Sequence, residues 1–194
     1  LCSDVTCPTI SGTNVARDYV EFPSQLLERW LPTATVLQKY AIHYKTGQVL
    51  PKSLIEKLDN ASKFNQGFET TEYLSSALVD MKLHLASDKV IDPDQFEKET
   101  LAALNMPSEI VMRHRLPQFG HIFSSDEYAA GYYSYLWSDV ISADATEAFT
   151  QAGGLYDKNI ADKLYRNVFS AISEVTTLTL KHLCAVETFR RNKL

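Results

Sequence analysis

The residues able to do chemistry fall into two groups, the histidines and a tyrosine-rich stretch near position 130. A catalytic zinc site needs three protein ligands and one open position, commonly with two histidines one helical turn apart. The five histidines stand at positions 43, 84, 114, 121 and 182, and no two of them are three or four residues apart. The chain therefore has no recognisable helical zinc pair of its own. It also has no nucleophile elbow and no glycine-rich phosphate loop.

The tyrosine-rich stretch covers residues 128–137 and follows His121. A phenol, with an unperturbed pKa of ~10, is neutral at pH 7 and can donate a hydrogen bond to a developing oxyanion without losing its proton. However, aromatic side chains at helical spacing are more often core residues, and a helical carboxylate such as Glu21 is more often simply solvated. By residue type and spacing alone, these residues indicate a helical domain and no particular function.

The bulk composition describes one globular domain without a nucleic-acid or membrane partner. In 194 residues, 45% are hydrophobic and 11% aromatic, which is enough for a sizeable core. The formal charge of -5 comes without a basic stripe that would neutralise phosphates, and no apolar stretch approaches the ~20 residues that a bilayer requires. Three cysteines are too sparse for a disulfide scaffold, so we expect a cytoplasmic location. The first methionine is Met81, so we expect the natural protein to begin upstream of Leu1.

The elements that must position these residues are predicted to be helices. Seven glycines, seven prolines and long stretches of 3.6-residue periodicity indicate an all-α fold. Helices are predicted over about residues 14–30, 33–45, 51–65, 70–86, 92–104 and 130–151, and a further helical pattern follows Asp157. Periodicity fails between Met106 and Ala129, where two prolines, Gly120 and two histidines predict a long loop of the functional kind.

Two segments resemble one enzyme family. Within residues 11–30 the chain reads SGT, then RDYVEFPSQ, then Glu28 and Trp30, and this resembles the segment after the zinc helix in thimet oligopeptidase, neurolysin and bacterial peptidyl-dipeptidase. The second segment reads FGHIF at 119–123, YAAGYYSYLW at 128–137 and SAD at 142–144, and it is similar to that family's tyrosine-rich substrate loop and following helix. The motif NAS at 60–62, with Phe64, Asn65 and Gly67, agrees with the peptidyl-dipeptidase branch. The resemblance is collinear over about residues 1–172.

This resemblance implies that the chain is the C-terminal part of the helical, zincin-like catalytic domain of a zinc metallopeptidase acting on short peptides. In that family a His-Glu-x-x-His helix supplies two zinc ligands and the general base, and it would lie just upstream of Leu1. Glu21 matches the third zinc ligand. Tyr128 and Tyr135 match catalytic and substrate-contacting tyrosines, Tyr132 lies beside them, and His121 matches the substrate-binding histidine.

The resemblance also sets expectations for partners and for the chain by itself. The complete enzyme would hold one zinc ion, whereas this chain alone is expected to be inactive and not to retain zinc. Its expected partners are short peptides and either the missing N-terminal part of the domain or a complementary chain. Tyr133 and Trp137 are interpreted as packing residues. Peptide length preference, and dipeptide release as against endopeptidase cleavage, stay open.

The match to the family weakens at two places. Between His121 and Tyr128 the family usually has glycines, whereas this chain has SSDE at residues 124–127, one residue more than the expected spacing. After about Ile172 the expected glycine-containing turn is missing, so residues 173–194 are interpreted as a divergent tail. A second hypothesis is therefore a truncated, non-catalytic remnant, in which a helical module binds peptides or a partner through uncovered apolar faces.

Overall fold

The computed structural model describes residues 2–86 and 90–170, which fall into two units. The first unit contains the described residues of Leu1–Tyr44 and Ser134–Leu194, and the second those of Lys45–Tyr133. All regular structure in the described residues is helical, with no β-strand, which confirms the all-α class. None of the described helices is both long enough and apolar enough to cross a bilayer. The α-helices in this part of the chain are α1 (Phe22–Glu28), α2 (Ala34–Tyr40), α3 (Lys52–Ala61), α4 (Gln66–His84), α5 (Pro93–Ala103), α6 (Ser134–Gln151) and α7 (Lys158–Leu164).

The core of the first unit forms where α1 packs against α6. Phe22 and Leu26 are fully buried, and their four-residue spacing puts both side chains on one face of α1. They cluster with three further buried side chains, those of Tyr19, Ala145 and Val168. Apolar burial is therefore what holds these two helices together.

The second unit packs α4 and α5 against the predicted long loop. The core of this unit contains one residue of α4 and four of the loop: Val79, Met112, Leu116, Phe119 and Ile122. The loop includes three short 3-10 turns at Leu116–Gln118, Gly120–Phe123 and Asp126–Tyr128. The described residues contain no long helix here, which confirms the loop prediction, and the loop nevertheless contributes four buried side chains to the core.

The predicted helices are confirmed in order, with corrections at their ends. The helix predicted from residue 14 is wrong over its first part, because turns precede α1 at Phe22. The reason is Pro23, since a proline inside a longer helix would clash with the carbonyl of Tyr19, four residues earlier. The second helix ends at Tyr40, short of the predicted end, and α6 begins at Ser134 rather than Ala130.

Two predicted helix starts are confirmed in atomic detail. Asp92 Oδ1 accepts the N–H of Gln95 at 2.9 Å, and Asp157 Oδ1 accepts the N–H of Ile160 at 2.9 Å. An aspartate at this position satisfies a backbone donor that the first helical turn leaves without a partner. The predicted divergent tail, residues 173–194, lies outside the described residues.

Candidate functional site

Glu21, the predicted metal ligand, stands at the N-cap of α1 with a partly exposed side chain. Ser24 Oγ lies 2.9 Å from Glu21 Oε2 and 2.9 Å from the Glu21 backbone oxygen, so the hydroxyl can donate to either. The N–H of Gln25 donates to that backbone oxygen at 3.0 Å and closes the first turn. Glu21 therefore stands at the start of a helix rather than within one, and the buried neighbour Phe22 fixes its backbone.

Tyr135, a predicted catalytic tyrosine, lies in the first turn of α6 and is partly exposed. Gln25 Nε2 of α1 donates to the backbone oxygen of Tyr135 at 3.1 Å. Arg29, at the end of α1, donates to Asp139 Oδ1 at 2.8 Å and to Ser142 Oγ at 3.0 Å. The first unit thus holds two predicted site residues on helices that are joined by one core and by a row of hydrogen bonds.

Small residues make this close helix packing possible. The buried residues of α6 recur every three to four positions at Ser134, Ser138, Ser142, Ala145 and Phe149. Because the first four of these are small, α1 can approach the backbone of α6 closely. Tyr133 and Trp137, interpreted as packing residues, are 38% and 44% exposed, so neither belongs to the core of the described residues.

The other three predicted site residues form an aromatic cluster in the second unit. The His121 ring lies edge-on to Tyr128, with centroids 4.9 Å apart, and edge-on to Tyr132 at 5.6 Å. Tyr132 also meets the buried Phe119 edge-on at 4.8 Å and stacks on Tyr73 of α4 at 5.2 Å. His121 is exposed at the edge of the cluster, and both tyrosines are partly exposed. The structure therefore gathers a predicted substrate-binding histidine and two predicted tyrosines in one place.

The environment of Tyr132 keeps its phenol neutral. Burial raises the pKa of Tyr132 above its ordinary value, the nearby Arg113 guanidinium lowers it, and the Glu72 carboxylate raises it. Arg113 Nη2 is paired with Glu72 Oε2 at 3.2 Å. Since the ordinary pKa of a tyrosine is ~10 and the net shift is upward, Tyr132 carries its proton at neutral pH and can donate it in a hydrogen bond.

A buried carboxylate that the sequence reasoning missed anchors the end of this loop. Asp80 of α4 is 0% exposed. Its Oδ1 accepts the N–H of Ala130 at 3.1 Å, and its Oδ2 accepts the N–H of Tyr132 at 3.0 Å. The sequence does contain one signal for this role. Asp80 is a charged residue between the apolar Val79 and Met81 of a helix, and charged residues are rarely buried unless they are paired.

A second buried carboxylate, Glu97 of α5, anchors the loop at its first 3-10 turn. It is 3% exposed, and its Oε2 accepts the N–H of Leu116 at 2.9 Å. Its Oε1 lies 2.6 Å from Arg115 Nε. The loop is thus tied to α4 and α5 at two places by carboxyl oxygens that accept backbone N–H groups.

The described residues could supply only part of the coordination shell of a metal ion. Within residues 2–86 and 90–170, no three His, Cys, Asp or Glu side chains are grouped so as to hold a metal. Glu21 suits a single ligand position, because it is partly exposed and Ser24 can orient one of its oxygens, and ligating carboxylates are commonly hydrogen-bonded in this way. The remaining ligands would have to come from other residues.

Comparison with known proteins identifies the class. The sequence model that defines Peptidase family M3 matches residues 1–171, and the chain therefore belongs to this family. It is 45% identical to dipeptidyl carboxypeptidase of Escherichia coli over 154 residues, which are 78% of this chain and 22% of that relative. Oligopeptidase A of Escherichia coli is 35% identical over 167 residues, 83% of this chain and 24% of the relative. Organellar oligopeptidase A of Arabidopsis thaliana is 38% identical over 146 residues, 72% and 18%.

These matches confirm the resemblance to oligopeptidases and to the peptidyl-dipeptidase branch in particular. The chain spans about a fifth of the length of the curated relatives.

Proposed function

We propose that this chain is part of the catalytic domain of a metallopeptidase that hydrolyses short peptides, and that it supplies one metal ligand and the substrate-binding tyrosines. The observation that carries the proposal is the family match over residues 1–171, with relatives named dipeptidyl carboxypeptidase and oligopeptidase A. The clustering of His121, Tyr128 and Tyr132 supports it, because a substrate-binding role requires these side chains to act together.

In the proposed enzyme Glu21 binds the metal, which we expect to be zinc, together with two histidines of a preceding His-Glu-x-x-His helix. Zinc in such a site polarises the scissile carbonyl and lowers the pKa of its bound water. The role of this chain is to hold the Glu21 carboxylate in a fixed place at the start of α1. The hydroxyl of Ser24 and the buried Phe22 beside it serve that purpose.

The tyrosines act on the peptide. When water attacks the scissile carbonyl, negative charge grows on the carbonyl oxygen, and a neutral phenol can donate a hydrogen bond to it; losing one such donor typically costs about 3 kcal/mol. We assign this role to Tyr135 and Tyr128. Tyr132, which keeps its proton, and His121, at the exposed edge of the cluster, are assigned to binding the peptide.

A second function, in which the chain binds a partner without hydrolysis, is favoured by the surface of α3. No residue of α3 is buried, and Leu54 and Leu58 are 43% and 59% exposed. An apolar face of this kind is more stable when another protein surface covers it. The rest of the catalytic domain would cover it under the first function, and a separate chain under the second.

A chimera separates the two functions. In it, this chain replaces the matching segment of Escherichia coli dipeptidyl carboxypeptidase, and a quenched fluorogenic peptide reports cleavage. We expect the chimera to cleave the peptide and the isolated chain not to do so. Tyr135→Phe should lower kcat by about 100-fold or more at unchanged metal content, whereas Tyr156→Phe, a tyrosine 60% exposed in the same unit, should keep the activity.

Two outcomes would contradict these assignments. Full turnover in Tyr135→Phe would remove the role assigned to this phenol. A folded chimera that binds the peptide and a metal ion but does not cleave would favour the binding function.

A further inference from the structure

The loop that carries Tyr128 and Tyr132 depends on contacts with α4 for its conformation. Ala130, between them, has φ +53°, in the left-handed region that a residue with a Cβ rarely adopts. Such a conformation persists only where the surrounding structure enforces it. The N–H of this strained residue donates to Asp80 Oδ1 at 3.1 Å.

The backbone of Tyr132 is tied to α4 on both sides. Its N–H donates to Asp80 Oδ2 at 3.0 Å, and its carbonyl oxygen accepts the hydroxyl of Tyr73. Tyr73 and Asp80 are seven residues apart, so they share one face of α4. The ring of Tyr73 also stacks on that of Tyr132. Two side chains of one helix thus fix both the backbone and the ring of a predicted substrate-binding residue.

The Asp80 carboxylate is itself held by His84, one helical turn further on. His84 Nδ1 lies 2.9 Å from Asp80 Oδ1, and the His84 side chain is 25% exposed. The same Nδ1 lies 3.0 Å from the backbone oxygen of Asp80 and 3.2 Å from the nitrogen of Ala130, so the tautomer of His84 decides which of these contacts is a hydrogen bond. Asp80 thus accepts hydrogen bonds from two backbone amides, and the His84 ring lies against both its Oδ1 and the Ala130 amide.

We propose that Asp80 is the positioning residue of the tyrosine loop and that His84 orients its carboxylate. The buried carboxylate fixes the left-handed turn at Ala130 and so sets where Tyr128 and Tyr132 present their phenols. Asp80 acts through the loop backbone and touches no substrate. The catalytic consequence rests on the function proposed above, whereas the structural role of Asp80 does not.

Amide exchange in the isolated chain tests the structural role. Asp80→Asn retains one acceptor oxygen and places an NH2 group where the second stood, so at least one amide loses its carboxylate acceptor. We expect hydrogen exchange at Ala130 and Tyr132 to become faster by about tenfold or more. Glu69→Gln, the same acid-to-amide change at an exposed position of α4, should leave both rates unchanged. Unchanged rates in Asp80→Asn would overturn the proposal.

If Asp80→Asn does not fold, His84→Ala gives the same test with the carboxylate retained. It should speed exchange at the same two amides by about threefold, and wild-type rates at both would overturn the proposal.

The chimera tests the catalytic consequence. Per bound metal ion, kcat of Asp80→Asn should fall by about tenfold or more, because misplaced donors weaken binding of the transition state. A loss that appears only as less folded, metal-loaded protein, with kcat per metal unchanged, would make Asp80 merely structural and overturn the positioning role. An inactive wild-type chimera would contradict the proposed function, while the exchange experiment would still decide the role of Asp80.

Discussion

The two units hold their predicted site residues by different physical means. In the first unit, Glu21 and Tyr135 stand at the starts of regular helices that apolar burial presses together. In the second, His121, Tyr128 and Tyr132 lie in or next to a loop whose backbone is tied down by the buried carboxylates Asp80 and Glu97.

The loop of the second unit needs buried carboxylates to accept hydrogen bonds from its backbone. A helix satisfies most of its own backbone hydrogen bonds, whereas a buried loop leaves N–H groups that must find an acceptor elsewhere. A carboxylate suits this task because its two oxygens can accept from two different amides, as those of Asp80 do. The first unit should therefore be most sensitive to lost apolar contacts, and the second to lost buried charge.

The largest effect should come from the core of the first unit. Phe22→Ala removes a fully buried ring and should lower the free energy of unfolding of that unit by about 3–5 kcal/mol, measured by urea denaturation. Leu27→Ala, 55% exposed on the same helix, should cost less than about 1 kcal/mol. Equal losses in the two variants would mean that apolar burial does not hold α1.

A smaller effect should come from a buried charge in the second unit. Glu97→Gln weakens the hydrogen bonds to Leu116 and Arg115 and should lower the free energy of unfolding by about 1–3 kcal/mol. Asp94→Asn is the matched control, because Asp94 contacts the same Arg115 at 3.2 Å from an exposed position and should change stability by less than about 1 kcal/mol. A control that costs as much as Glu97→Gln would contradict the special role of buried carboxylates.

The smallest effect should be seen at alkaline pH in the first unit. Burial raises the pKa of Tyr19 above its ordinary value. The folded state then holds this proton more tightly than the unfolded state, so the stabilisation is complete below about pH 10 and is lost as the pH rises further. Tyr19→Phe should make the free energy of unfolding fall less steeply above about pH 10 than in the wild type, whereas Tyr40→Phe, 69% exposed, should keep the wild-type slope. Identical slopes in all three proteins would rule out a contribution from Tyr19.

Much of the fold could be predicted from the sequence, because helical periodicity depends on local spacing. The failure of that periodicity predicts the loop, and the renewed helical pattern predicts helices that begin near Asp92 and after Asp157. The predicted start of α1 is too early, although Pro23 marks the observed start. Residues 14–21 keep a helix-like apolar spacing, but the backbone forms turns there instead.

The candidate site was less predictable from residue spacing. Only the family resemblance predicts Glu21 and the tyrosines as site residues, since no spacing rule distinguishes them from solvated or packing residues. Asp80 was missed because its partners are backbone amides about fifty positions further along the chain. Nothing in a sequence marks which backbone groups lack a partner in the folded loop.

The most direct test of the proposed role is the metal content of the chimera. We expect one tightly bound metal ion in the unmutated chimera and in a Glu147→Gln control, an exposed acid of the same unit. Glu21→Gln should weaken metal binding by about tenfold or more, since a neutral amide replaces an anionic ligand. Retention of one equally tight metal ion in Glu21→Gln would contradict the assignment of Glu21 as the ligand that this chain supplies.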